Sequence, residues 1–377
     1  MVLKAWPPLD GQELRLDFRG RPAPGLGKGK PVARGQLLAE SLSPSAGDLV
    51  APAEGVITSA SPTAIFMRAQ ESSGGRPPEP VNLSNLHGES LGAALKKLGI
   101  PKPLPPAPGQ SAIICALNPE PGLETAGALW RDLKSALKAG AEVLRRLWPK
   151  TEILEIVGPG QSPLGAGKAF KAAPAFPLAL PGFLRLLATG RHDPQGRGVV
   201  PAELIWAMGS AARTSLPPPL IPITIQRFPY LAPLGLKIAD ALESLNLIAL
   251  EGDSVVLGGL VTGRPTARLD RGLGWSMGAL HLVRARKAPG PPGPCLRCGS
   301  CRAACPLDLR IDLLAAFEVD AWPRLLAGLG EALSGCLRCG ACALACPSSR
   351  PLMALALMAG RQEGPLSFSA LGREASA

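Results

Sequence analysis

The chain has 377 residues, too many for one ordinary hydrophobic core, so several compact units are expected. Its 40 Lys and Arg against 29 Asp and Glu leave a formal charge of +11, which favours anionic partners, while 4 % aromatic residues and the lack of any Lys/Arg run argue against nucleic acid. Eight of the nine cysteines fall in two phrases near the C-terminus, which excludes a disulfide framework and points to a reducing compartment, most simply the cytosol.

The opening stretch MVLKAWPPLDGQELRL lacks the basic and apolar regions of a signal peptide, and no run of about 18 apolar residues follows, so a soluble or peripheral protein is expected. From Gly25 to Ala69, short apolar pairs alternate with Gly, Pro and Ser, the punctuation of short strands and tight turns. VARGQLLAE and VAPAEGVITSA have the form of the two halves of a biotinyl- or lipoyl-type sandwich, a barrel-sandwich hybrid placed at 1–75. No lysine stands between Val50 and Val56, so a structural domain is expected there and not a carrier.

Residues 76–110 form a Pro/Gly-rich linker around one helical patch, ESLGAALKKLG. An α/β Rossmann-like domain is placed at 111–215: the apolar run SAIICALNPEP, a helical pattern over TAGALWRDLKSALKAGAEVLRRLW, and the strand-like TEILEIVG. The loop VGPGQSPLGAGKAF that follows fails the Walker A pattern at Ser162 and Ala169, and Pro163 takes the third glycine position of G-x-G-x-x-G, so an ordinary surface loop is expected. Short strands around the helix GLKIADALESLN fit a β-grasp (SLBB-like) module at 216–286, in which VVLGGLVTGRP reads as a turn between strands. KAPGPPGP is a linker to a C-terminal α-helical domain at 290–362, with a flexible tail at 363–377.

That C-terminal domain carries CLRCGSCRAACP (Cys295 to Pro306) and CLRCGACALACP (Cys336 to Pro347). A structural zinc site commonly uses two separated C-x2-C pairs and has no use for a third cysteine two residues on and a fourth before proline. The spacing matches the bacterial ferredoxin run, in which three cysteines hold one [4Fe-4S] cluster and the fourth crosses to the other. By that rule Cys295, Cys298, Cys301 and Cys346 hold one cluster and Cys336, Cys339, Cys342 and Cys305 the second. Gly299 and Gly340 let each loop wrap closely, and Pro306 and Pro347 turn the chain after the crossing ligand. Arg297, Arg302, Arg338 and Arg350 stand near the ligands, either as solvated loop residues or as a docking face for an acidic redox partner such as ferredoxin. Cys115 reads as a buried core thiol, and the scattered His87, His192 and His281 support no catalytic site.

The order of these pieces resembles the RnfC family, one of the components of the Rnf ion-translocating electron transport complex: the hammerhead GQLLAE…VAPAEGVI, the central NPEPGLETAG, the GG-x4-G segment and the paired cysteine phrases. A related component of the sodium-translocating NADH:quinone reductase has similar upstream domains without the cluster domain, so the eight cysteines favour Rnf. The resemblance implies a peripheral component on the cytoplasmic face of the cell inner membrane, passing electrons between NADH and ferredoxin while sister subunits move sodium ions or protons. It also implies FMN and NADH in the α/β domain, seated by a loop of the form G-x-G-G-A-x-F-P-T. Here HGESLGAALKKLGIPKPLPPAPG stands in that place, and of the family's E-x-E-P only Glu120 and Pro121 survive, with Asn118 at the first acid. The lost glycines favour an electron wire over an NADH dehydrogenase with a diverged nucleotide site.

Overall fold

A computed structural model describes residues 2–71, 74–190, 193, 196–285, 292–316, 333 and 335–359. The interdomain linker from 287, the tail from 363 and His192 fall wholly or largely outside the described residues. The chain divides into two compact units, 1–285 and 286–377.

The first unit is a mixed α/β structure with four sheets. Its N-terminal strands are β1 (Lys4–Ala5), β2 (Glu13–Asp17), β3 (Gly20–Pro22), β4 (Pro31–Val32), β5 (Leu37–Ser41), β6 (Leu49–Val50), β7 (Gly55–Ala60) and β8 (Ala64–Ala69). β2 to β8 form two antiparallel sheets, β2-β8-β7-β4 and β3-β5-β6. The C-terminal part of the unit holds β13 (Leu220–Ile225), β14 (Phe228–Pro233), α6 (Ile238–Ser244), β15 (Ser254–Leu257), β16 (Arg264–Thr266) and β17 (Ala279–Val283). These strands join β1 in one six-stranded sheet, β1-β14-β13-β17-β15-β16.

Although far apart in sequence, these two regions share one core. Leu14, Leu16, Ile57, Ile65 and Met67 pack in a single buried cluster with Ile221, Ile223, Leu236 and Leu280. A bridge between Leu14 and Leu236 and a hydrogen bond from Arg15 N–H to Gly235 C=O stitch the backbones across it. Burying an aliphatic side chain of this size stabilises by about 1.5–3 kcal/mol, so neither region retains its core alone.

Between them lies the parallel sheet β11-β10-β9-β12, built from β9 (Ala112–Cys115), β10 (Ile153–Val157), β11 (Lys168–Lys171) and β12 (Val199–Val200). All four residues of β9 and all five of β10 are buried, as expected of parallel strands covered on both faces. The helices are α1 (Gly88–Lys97), α2 (Thr125–Asp132), α3 (Lys134–Leu147), α4 (Pro181–Thr189) and α5 (Ala202–Thr214). The long helical pattern is divided at Leu133, which leaves helical geometry (φ −128°, ψ 35°) and separates α2 from α3. Helices α3 and α5 approach so closely that a Cβ on Gly140 would lie 1.8 Å from Ile205 O, and one on Gly209 1.8 Å from Ala136 O. Glycine is required there by contact, against its poor helix propensity.

The stretch 76–110 contributes to this core. α1 buries Leu91 and Leu95, and Leu83, Leu98 and Ile100 join the same cluster as Leu129 and Leu144.

The second unit contains short helices α7 (Ser300–Ala303), α8 (Ile311–Ala316), α9 (Ala341–Leu344) and α10 (Leu352–Ala359). Its small core joins Ile311, Leu314, Leu333, Leu352 and Leu355 to Cys301 and Cys342. Among the described residues, no helix of the chain is long and apolar enough to cross a membrane.

Candidate functional site

The two cysteine phrases adopt matching backbones. Arg297 (φ 53°) and Arg338 (φ 57°) take the left-handed conformation, followed by Gly299 (φ 73°) and Gly340 (φ 77°). Such a conformation is costly for arginine, at roughly 1–3 kcal/mol for a strained residue, and its effect is to point a backbone N–H back at sulfur. Arg297 N–H donates to Cys295 Sγ and Arg338 N–H to Cys336 Sγ, each over 3.4 Å. A Cβ on Gly299 would meet no atom within 4 Å, so among the protein's own atoms it is the left-handed backbone that calls for glycine. The turns α7 and α9 start at the next residue and carry Cys301 and Cys342 inward.

Two cavities result, each edged by cysteines from both phrases. The first, about 210 Å³, is lined by Cys295, Cys298, Cys301 and Cys346, with Leu296 and Asp312 on its rim. The second, about 20 Å³, is lined by Cys336, Cys339, Cys342 and Cys305, with Leu309 and Met353. Leu309 N–H donates to Cys305 Sγ over 3.4 Å. The donor set around each is four thiols with backbone N–H groups turned toward sulfur, which fits a four-iron cluster chemically; the fit rests on these donors and not on volume. Among the described residues, no three His, Cys, Asp or Glu side chains close on a point that a single metal ion would occupy.

Burial, followed by the neighbouring thiols, pushes Cys342 up to about 12. Burial also raises Cys301, Cys336 and Cys339, whereas the Ser300 hydroxyl lowers Cys298. Loading metal onto the buried thiols therefore releases protons that these groups otherwise hold. Arg302 is forked onto Asp308 at 2.8 and 3.0 Å, Arg350 donates to Gly293 C=O at 3.1 Å, and Arg297 and Arg338 are exposed.

In the first unit, a doubly wound sheet binds ligands outside the carboxyl ends of its strands where the strand order reverses, here between β9 and β12. The chain's own polar groups meet there. Asn118 Nδ2 donates to Glu124 at 3.1 Å, Asn118 Oδ1 accepts the Gly127 N–H at 3.1 Å, and the Thr125 hydroxyl donates to Glu203. Burial raises both Glu124 and Glu203. The place of the glycine loop ahead of β9 is taken by α1 and a segment without regular secondary structure.

Two glycine-bearing loops have internal partners that their sequence did not disclose. Glu155, fully buried on β10, accepts N–H groups from Leu164 (2.5 Å), Ala166 and Gly167 (3.0 Å). Glu120 accepts Val261 N–H (3.2 Å), Thr262 N–H (2.9 Å) and the Thr262 hydroxyl (2.6 Å) in the β15–β16 turn. A search for acids on buried strands would have flagged Glu155; Glu120 stood out in the sequence through the E-x-E-P resemblance, which pointed to a nucleotide site and not to the β15–β16 turn. Cys115 is buried with its thiol pushed up to about 11 by desolvation, and burial lowers His281, which lies against Gly122. His87 is exposed at the start of α1.

No family model matches the chain, and no curated protein matches it. Solved structures of an NAD+-reducing [NiFe]-hydrogenase are similar to it. The air-oxidised form shows 16% identity and a TM-score of 0.42, with 70% of this chain and 58% of that chain covered. The H2-reduced form shows 17% identity and a TM-score of 0.43, with 77% and 64% covered. This chain thus spans less than two thirds of the length of either.

Proposed function

We propose that the chain is an electron-transfer subunit that relays electrons through two [4Fe-4S] clusters, one on Cys295, Cys298, Cys301 and Cys346 and one on Cys336, Cys339, Cys342 and Cys305. One observation carries this reading: each of the two cavities described above is lined by three cysteines of one phrase and the fourth of the other. When bound, such clusters supply one-electron transfer. The chain's own part is to hold eight thiolates, aim N–H groups at sulfur, and lock two centres together through exchanged ligands.

The finer reading is that this relay belongs to an Rnf-type complex coupling electron transfer to ion translocation. It docks peripherally on the cytoplasmic face of the inner membrane, with sister subunits and a soluble acidic carrier such as ferredoxin as partners. On this reading the domains are those read from sequence: barrel-sandwich hybrid, Rossmann-like, β-grasp and dicluster ferredoxin. Helix α1, standing where a glycine loop ahead of β9 would lie, supports a relay over a flavin-dependent NADH dehydrogenase.

Anaerobic reconstitution of the full chain tests the relay. About eight iron atoms per chain are expected, two four-iron clusters with no ligand left over; one or two ions with zinc dominant would overturn it. Titration with NADH then separates relay from dehydrogenase. Slow or absent cluster bleaching supports the relay, and rapid bleaching with stoichiometric flavin supports the dehydrogenase.

A further inference from the structure

The two phrases are near copies, and within them the differences are few: Ser300 against Ala341, Arg302 against Ala343, and Ala303 against Leu344. Arg302 is compensated by its forked pair with Asp308. Ser300 is different. Its Oγ accepts the Cys298 S–H at 3.4 Å, and once that sulfur is a cluster ligand the same contact runs the other way, hydroxyl to thiolate. Ala341 offers no such group to Cys339.

Exposure divides the repeats in the same sense. Cys298 is exposed and Leu296 beside it is 64% exposed, whereas their counterparts Cys339 and Leu337 are each 9% exposed. Reduction adds negative charge to a cluster, and both a hydroxyl dipole at sulfur and nearby water stabilise that charge, which raises the potential. Two features oppose this. Leu309 N–H gives the second cluster a contact at Cys305, and Asp312 on the rim of the first cavity is an anion. Asp312 is held by Arg310 at 3.0 Å, which offsets its charge, and the Leu309 N–H is a single part-buried donor, so the Ser300 hydroxyl and the exposure of Cys298 together decide the order.

Resting on the two-cluster reading, we propose that Ser300, together with the exposure of Cys298, makes the clusters unequal: the cluster of Cys295, Cys298, Cys301 and Cys346 has the higher potential and holds the first electron at the exposed end of the pair. Ser300 acts through Cys298, as a residue that sets a potential and not as a ligand.

The test is an anaerobic redox titration of the reconstituted full chain followed by EPR, with iron and sulfide content measured first. The wild type should show two one-electron steps. Ser300→Ala, which writes the second repeat's own residue into the first, should lower the upper step and leave the lower one in place. A tenfold change in the equilibrium between the clusters, about 59 mV for one electron, is the shift expected. Ala341→Ser should raise the lower step and narrow the gap. The proposal is overturned if Ser300→Ala moves the lower step or neither, or if Ala341→Ser moves the upper one. Iron and sulfide contents below two four-iron clusters overturn the underlying reading, and this inference with it, before any titration is read.

Discussion

Gly167 donates its backbone N–H to the buried Glu155 carboxylate over 3.0 Å, closing the loop that follows β10 onto the strand it leaves. With Leu164 and Ala166 making the same kind of bond, a loop whose glycines suggest a phosphate site is satisfied by an anion of its own chain. Glu155→Ala should therefore destabilise the first unit by about 3 kcal/mol or more, since each stranded buried donor costs about 1–3 kcal/mol. Urea unfolding measures it; a loss below about 1 kcal/mol would show that water reaches these donors.

Glu203 gives a pH signature. Its pKa is raised by burial above the ordinary 4.5, so its contribution to stability is greatest below 4.5 and is lost as pH rises through the higher folded value. Glu203→Gln removes that loss, and its melting temperature should exceed the wild type's at pH 7 and match it below 4.5. A variant less stable at pH 7 would mean that the bond to Thr125 outweighs the desolvation.

Cys115 should resist alkylation. With its thiol pushed up to about 11, roughly one molecule in a thousand carries the thiolate at pH 8, before burial slows access further. Iodoacetamide followed by mass spectrometry should label the exposed Cys298 of the metal-free chain, whose thiol is lowered by Ser300, well before Cys115. Equal labelling would place Cys115 at the surface.

Leu14→Ala probes the shared core. A loss of about 2–5 kcal/mol is expected, and because Leu14 packs in one cluster with Ile223 and Leu236, the two sheets of the N-terminal region and the six-stranded sheet should melt in a single transition. Separate transitions would show two cores.

Crossed ligation makes the most specific demand. Cys305→Ser should perturb chiefly the cluster of Cys336, Cys339 and Cys342, and Cys346→Ser that of Cys295, Cys298 and Cys301, each leaving three native ligands. EPR of the two variants checks this, and the opposite pattern would mean uncrossed ligation.

The sequence by itself determined the eight candidate ligands and their pairing rule, because their spacing is a local property that survives any packing. It also disclosed β9 and β10 as strands of an α/β layer, since AIIC reads as an unbroken apolar run and ILEIV as one interrupted by the single Glu155. Only the tertiary structure decided what lies between distant residues: that the 76–110 stretch buries α1, that Leu14 shares a core with Leu236, and that Glu155 and Glu120 fill loops that resembled ligand sites. Periodicity reports which face of an element is apolar; it does not say which other element covers that face. A carboxylate finds its N–H partners through chain folding across 141 residues, as Glu120 finds Val261, and no local pattern encodes that distance. The inequality of two nearly identical cysteine phrases arises the same way, from what covers Cys339 and leaves Cys298 in water.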